Sequence, residues 1–498
     1  MPFLLDFLLA RETEFFNDFV RAPVCDLISK KESVIATGGD SEDKSYANAL
    51  FIAHDIFVNT LIWGYLSARF PKDKKLFPYL VKGFNKALLQ KFGDINPLKL
   101  GNIFDTLHLE FFNSEHFSTD GKWVRVKTKH KIRALGVVYT PRAVAAEIVR
   151  PTIDSALASG IDVKMIRCLD FAAGSGVLYI EALKQLEKEY GADPQHAVKH
   201  NLFAVDIDAT ALAILRLKVI DRLGTVSKGL IDSLNRNVVC ENALMPKAVN
   251  GSNKPATVSA MFGAKRRFRF DAIFSNPPYG IVKINRRSST ASDKVDDSLK
   301  AVRVKREIEF FRESGIYRHT TTGTMNYYRL SIEVMLHLLN SNGSLGVICP
   351  ATLFADLTAT PLRRHLLLEN TVQRIRLLPE SFRIFNGITQ ATVIWHLRKG
   401  SRTTSFKYYW QNRSTILNMA NIKKCFPENL EVPAISSIAW GLLRKLSRRQ
   451  TLGSIEELRN RRGEVDLTLD RHLVTKTKTE KQLVRGKMLG DVIRMGEI

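Results

Sequence analysis

An α/β fold built on a mainly parallel sheet is what this sequence predicts, and three observations carry the prediction. Short apolar runs recur, each followed by a polar or glycine-containing turn and then by residues at helical spacing. Met165-Ile166-Arg167-Cys168-Leu169-Asp170-Phe171 leads through Ala172-Ala173-Gly174-Ser175-Gly176 into the apolar helix 177–183. Phe270-Asp271-Ala272-Ile273-Phe274 runs into Asn276-Pro277-Pro278-Tyr279, where neither proline has an N–H for a neighbouring strand, so the chain must leave the sheet. In open α/β sheets the carboxyl ends of the strands are where ligands bind.

Composition sets the outer limits. The 498 residues suffice for a large core and two or three domains, and 45% hydrophobic residues is the content of a soluble globular protein. A formal net charge of +24 suggests a polyanionic partner. The five cysteines, Cys25, Cys168, Cys240, Cys349 and Cys425, stand singly, which argues against a zinc site or disulfide framework and fits a reducing cytoplasm. Asp6 and Glu12 replace the basic start of a signal peptide, and no apolar run reads as long enough to span a membrane.

Residues 1–130 read as a helical region, with apolar spacing over 3–9 and 49–66 and a loop at Thr37-Gly38-Gly39-Asp40-Ser41. Glu42-Asp43-Lys44 has the Glu-x-Lys form of a metal-dependent nuclease. It follows a Gly-Gly-Asp-Ser loop rather than an apolar strand, so it reads as solvated, and this region yields no chemistry. Tyr139-Thr140-Pro141 opens a helix, with Thr140 as the expected N-cap and Pro141 as the first helical residue. A helix start favours a carboxylate or phosphate.

In the glycine turn after Asp170, Gly174 and Gly176 let a ligand approach the backbone, but Tyr179 stands where a dinucleotide site needs a third glycine. Beside Asp170 a pyrophosphate would be repelled, whereas an ammonium group would be welcomed. S-adenosylmethionine carries such a group, and its carboxylate could use the helix start at Pro141. The next strand, 202–205, ends in Asp206, placed to accept ribose hydroxyls, and Asp208 reads as the N-cap of the helix from Ala209. A third strand, 237–240, ends near Asn242, which could pair with an adenine edge. At Asn276-Pro277-Pro278-Tyr279 an amide, carbonyls without local donors and an aromatic face suit a planar ring bearing an amine.

The order Tyr-Thr-Pro, Asp-x-x-x-Gly-x-Gly, acid, Asn-x-Leu, Asn-Pro-Pro-Tyr resembles the gamma class of S-adenosylmethionine-dependent amino-methyltransferases. More narrowly, it is similar to adenine-specific DNA methyltransferases of restriction–modification systems, over roughly residues 131–400. Phe171 and Ala173 depart slightly from the family's glycine-turn pattern, with no mechanistic consequence. The resemblance implies a Rossmann-like class I methyltransferase sheet with an antiparallel closing strand, S-adenosylmethionine as cofactor and double-stranded DNA as partner. It further implies that Tyr139, Thr140, Asp170, Gly174, Gly176, Asp206 and Asn242 hold the cofactor and that Asn276, Pro277, Pro278 and Tyr279 hold a flipped adenine. Phe385 matches the family's second aromatic against the base and is equally consistent with ordinary core; no metal is implied.

Beyond the motif, residues 282–306 are basic and Ser-rich, a solvated insertion or a DNA-closing loop. A helix over 328–339, a stop at Asn340-Ser341-Asn342-Gly343, a strand over 345–350 and two further strands, 372–378 and 391–397, complete the expected catalytic domain, 131–400. Residues 401–498 resemble the opening of a target-recognition region that would be incomplete, which implies a separate specificity or restriction subunit. Methylation of cytosine N4, of RNA or of a protein glutamine uses the same geometry, and a catalytically silent DNA-binding subunit is the reading from another class.

Overall fold

The computed structural model describes residues 2–21, 42–91, 96–100, 103–112, 114–119, 122–127, 140–245, 262, 269–282, 302, 304–385, 390–411 and 413–449. It divides into two units, 1–440 and 441–498. In the first unit eleven strands are described: β1 (Ser114–Thr119), β2 (Lys122–Lys127), β3 (Cys168–Phe171), β4 (Leu202–Asp206), β5 (Val238–Cys240), β6 (Phe270–Ser275), β7 (Leu339–Pro350), β8 (Thr371–Leu378), β9 (Thr392–Arg398), β10 (Ser405–Trp410) and β11 (Arg413–Asn418). β1 and β2 form a separate hairpin, and the other nine form one sheet in the order β11-β10-β8-β9-β7-β6-β3-β4-β5.

β5, β4, β3, β6 and β7 run parallel, β9 is antiparallel to both β7 and β8, and β10 returns parallel to β8. This is the sheet the sequence predicted, including its reversed closing strand. The inner strands are buried on both faces and mainly apolar, as parallel strands covered by helices must be: every residue of β3 and β6 is buried, Asp170, Asp271 and Ser275 included. The sheet does not end at about residue 400, where the catalytic domain was expected to close, because β10 and β11 extend it. In β10, buried Phe406 and Tyr408 flank exposed Lys407, so the strand has one apolar face and only the short run Tyr408-Tyr409-Trp410 to betray it. Asn340–Gly343, expected to end a helix, instead begin β7, whose pairing with β6 is irregular there.

The helices that matter here are α1 (Pro2–Arg21), α2 (Glu42–Arg69), α3 (Phe104–Phe112), α4 (Arg142–Leu157), α5 (Val177–Tyr190), α6 (Ala209–Leu223) and α7 (Ser437–Leu446). Glu42–Lys44 lie at the start of α2 rather than in a loop, while residues 37–41 lie outside the described residues. The N-terminal helices share one continuous core with α4, α5 and α6. Polar ties fasten the same junction: Tyr65 donates to Asp221 at 2.6 Å, Thr210 to Asp55 at 2.9 Å and Lys218 to Asp105 at 2.6 Å. Within α2, Leu50–Arg69 is long and apolar enough to cross a membrane by length and composition, contrary to the sequence expectation. Since 67% of its most apolar window is buried inside the protein, the helix already has its apolar surroundings.

Candidate functional site

Register decides which strand ends meet. Phe171 pairs with Ser275 on one side and with Val205 on the other, and Asp206 pairs with Cys240. The turns after β5, β4, β3 and β6 therefore leave the same edge of the sheet side by side, bringing Asn242, Asp206, the glycine turn and Asn276 into one row. Buried Ser275 holds the row at its centre by donating to the Phe171 carbonyl at 2.6 Å.

The glycine turn is strained in the way its sequence allows. Ala172, Gly174 and Gly176 have φ of 57°, 53° and 79°. A Cβ on Gly176 would lie 1.9 Å from Leu215 Cδ1 of α6, so only glycine fits where the turn passes into α5. Gly174 N–H donates to Asp206 Oδ2 at 2.8 Å, and Asp208 N–H donates to Asp206 Oδ1 at 2.9 Å. Burial raises the Asp206 pKa to about 6 in spite of these bonds. Each carboxylate oxygen has a second lone pair, so Asp206 can still accept from a diol.

Asp170 sits otherwise than the sequence suggested. It is 0% exposed, and Oδ2 accepts from the Tyr179 backbone N–H at 2.8 Å, so it fastens the first turn of α5 from beneath. Its Oδ1 has no hydrogen-bond partner, and burial raises its pKa well above the usual range. A ligand's ammonium group finds no accessible Asp170 surface here.

Thr140 does not cap α4. Pro141 occupies the N-cap position, no side chain caps the helix start, and the Thr140 hydroxyl accepts from Asn276 Nδ2 at 3.1 Å. The uncapped N–H groups of the first turn are thereby left for an anion. The same bond orients the Asn276 amide. Asp208 does cap α6, accepting from Ala211 N–H at 3.0 Å. Asn242 turns its Oδ1 to Leu244 N–H at 3.0 Å, which leaves its amide nitrogen as the group it can offer a ligand.

Pro277 and Pro278 carry the chain out of β6 to Tyr279, and the loop is closed by a bridge between Ile281 and Asn326. The Tyr279 hydroxyl has no hydrogen-bond partner, and burial holds its pKa well above the usual range, so its ring is the chemically useful part. Phe385, on the connection leaving β8 at this same edge, meets Tyr279 edge to face with centroids 6.3 Å apart. Tyr139, Asn386 and most of 282–306 lie outside the described residues. Sequence reasoning passed over Ile207, which is 71% exposed between two acids at the tip of β4 and offers an apolar face to a planar ring. An apolar residue stranded at a strand end was the available signal.

The donor set fits S-adenosylmethionine at several points: an acid for the ribose, an apolar face beside it, a turn with open backbone at Gly174, and an uncapped helix start for a carboxylate. Residues 200–385 match the family model described as Eco57I restriction-modification methylase. No curated protein matches the chain. Among solved structures, the DrdV–DNA complex superposes with a TM-score of 0.50 at 14% identity, over 81% of this chain and 41% of that one. A nuclease-deletion mutant of the Type ISP restriction-modification enzyme LlaGI with a DNA substrate mimic gives 0.49 at 14% identity, over 89% and 37%. The methyltransferase subunit of a type I restriction-modification system from Streptococcus thermophilus gives 0.39 at 15% identity, over 82% and 81%. The chain thus spans less than half the length of the first two proteins. The likeness to the DrdV–DNA complex is one of fold.

Proposed function

We propose that this chain is the methyltransferase of a restriction–modification system, acting on the exocyclic N6 amine of an adenine flipped out of duplex DNA. The observation that carries the reading is the row of strand ends: Asn242, Asp206, the glycine turn and Asn276-Pro277-Pro278-Tyr279 at one edge, in the order the chemistry needs. The match of residues 200–385 to a methylase family supports it.

S-adenosylmethionine supplies a sulfonium methyl group when bound. Asp206 would hold the ribose hydroxyls, Ile207 and the Asn242 amide the adenine, and the start of α4 the carboxylate. The turn admits the ligand against bare backbone at Gly174, while Gly176 lets it pack on Leu215 and Asp170 supports it from below. Opposite, the target base must leave its stack, since its amine is otherwise out of reach. The Asn276 amide, oriented by Thr140, presents Oδ1 together with the Pro277 carbonyl to accept both amine hydrogens. That pairing favours a tetrahedral nitrogen with its lone pair localised toward the methyl group, so rate comes from orientation and electrostatics rather than from a strong base. Tyr279 stacks on the base, with Phe385 against its edge.

Double-stranded DNA is the proposed substrate, in the cytoplasm, with a separate specificity or restriction component as partner. Incubation with labelled S-adenosylmethionine and duplex DNA, RNA or protein, followed by nucleoside and amino-acid analysis, tests the assignment. N6-methyladenine in duplex DNA is expected. N4-methylcytosine, or label in RNA or a protein glutamine, would move the substrate. No transfer to any of them would favour a silent DNA-binding subunit.

A further inference from the structure

The N-terminal helices, which yielded no chemistry in the sequence, contribute three buried side chains to a hydrogen-bonded row that ends at Asp208, two residues beyond the proposed ribose acid Asp206. Glu12 of α1 meets His54 Nδ1 of α2 at 2.5 Å, and His54 Nε2 meets His108 Nδ1 of α3 at 2.9 Å. His108 Nε2 then meets Asp208 Oδ2 at 2.9 Å. Glu12, His54 and His108 are all buried, and the His54 ring stacks on Phe111 with centroids 3.9 Å apart. From Asp208 the row continues through its own N–H to Asp206, and from Asp206 to Gly174.

Counting protons shows what this arrangement requires. Three contacts in series need three protons, one in each. Two ionised carboxylates and two neutral imidazoles bring only two, and each imidazole must direct its single N–H outward to its carboxylate. The two facing nitrogens would then set lone pair against lone pair at 2.9 Å. The row closes only when one further proton is shared along it. Its surroundings favour that proton: Glu12 from α1, Asp55 from α2, and Asp206 and Asp208 from the tip of β4 are the carboxylates that act on this cluster. Burial lowers the His54 pKa, and the His108 bond holds Asp208 below its usual range against the effect of its own burial.

We propose that His54 and His108 are positioning residues for the cofactor site, which hold Asp208, and through it Asp206, by a buried hydrogen-bonded row that shares one extra proton. The inference rests on the reading of Asp206 as the acid that holds the cofactor ribose. It gives the N-terminal helices a task in the reaction: they fix the tip of β4 from behind, where no ligand reaches.

Two measurements on the full chain test it. The first is NMR of histidine-selectively 15N-labelled protein without any ligand. A strongly downfield imidazole N–H resonance, correlated with a doubly protonated ring and lost in His108→Gln, is expected; its absence from the wild type overturns the shared proton. The second is calorimetry with S-adenosylhomocysteine. His108→Ala is expected to weaken binding about tenfold, the effect of losing one charge-assisted bond at the acid. His108→Gln, whose amide can still donate to Asp208, should recover most of that loss with a melting temperature close to that of the alanine variant. Equal affinity of wild type and His108→Ala, or no recovery in His108→Gln, overturns the positioning role. A wild-type chain that binds no S-adenosylhomocysteine overturns the reading of Asp206 instead, while the resonance still reports on the rings alone.

Discussion

Asp206 is the residue on which acidity should act most directly. Its folded pKa is raised, to about 6, so the free protein protonates it well above the range of an exposed aspartate. A diol bonds best to the ionised form, so binding must expel the proton below that pH. Affinity for S-adenosylhomocysteine is therefore expected to be level above about pH 6 and to fall up to tenfold per pH unit below it, with proton release visible as buffer-dependent heat in calorimetry. Tyr279 should behave as a ring rather than as a phenol, because its hydroxyl has no hydrogen-bond partner. Methyl transfer should survive Tyr279→Phe and drop in Tyr279→Ala by the loss of a stack worth about 1–3 kcal/mol. Equal inactivity of both variants would point to the hydroxyl. The sequence named most of these residues because their types are tied to particular turns. It could not say that Asp170 is sealed, since that depends on α5 lying over it, nor that Thr140 bonds to a residue 136 positions away. Still less could it join Glu12, His54 and His108, which lie on three helices with ordinary spacing.

At the scale of the element, the passage from β3 to α5 is the most constrained piece of backbone near the site. Gly176 has φ of 79°, and a Cβ there would press on Leu215 of α6. Gly176→Ala is expected to destabilise the protein by about 2–4 kcal/mol, from the left-handed conformation and the overpacking together. Denaturant melts would show it, and cofactor affinity should fall as well because the turn must shift. The strands of the parallel sheet were legible since burial on both faces writes them as mainly apolar runs, broken in β3 and β6 by a single aspartate each. β1 and β2 were not: Ser114–Thr119 and Lys122–Lys127 are short and mostly polar, and nothing in them competes with the helical texture around them. β10 escaped for a related reason, its apolar run being only three residues long, Tyr408 to Trp410, after Lys407.

The whole molecule adds charge and linkage. With a net charge of +24, the chain should bind duplex DNA mainly through phosphates. Affinity is expected to fall steeply between low and physiological salt, with weak sequence preference, when the chain is titrated alone against mixed-sequence fragments. Mapping of modified bases checks the corollary: a single sharp motif methylated by this chain without a partner would refute the need for a separate specificity component. The fold itself was largely readable, but the continuity between the N-terminal helices and the sheet was not, because a shared core is a property of packing and not of either segment. One bond in that fold has a thermodynamic corollary. Thr140, at the start of the helix that would meet the cofactor, is joined to Asn276, which would meet the base. A ligand that turns either side chain changes what the other offers its own ligand. The two occupants of the cleft must then alter each other's dissociation constants by one and the same factor, whichever arrives first.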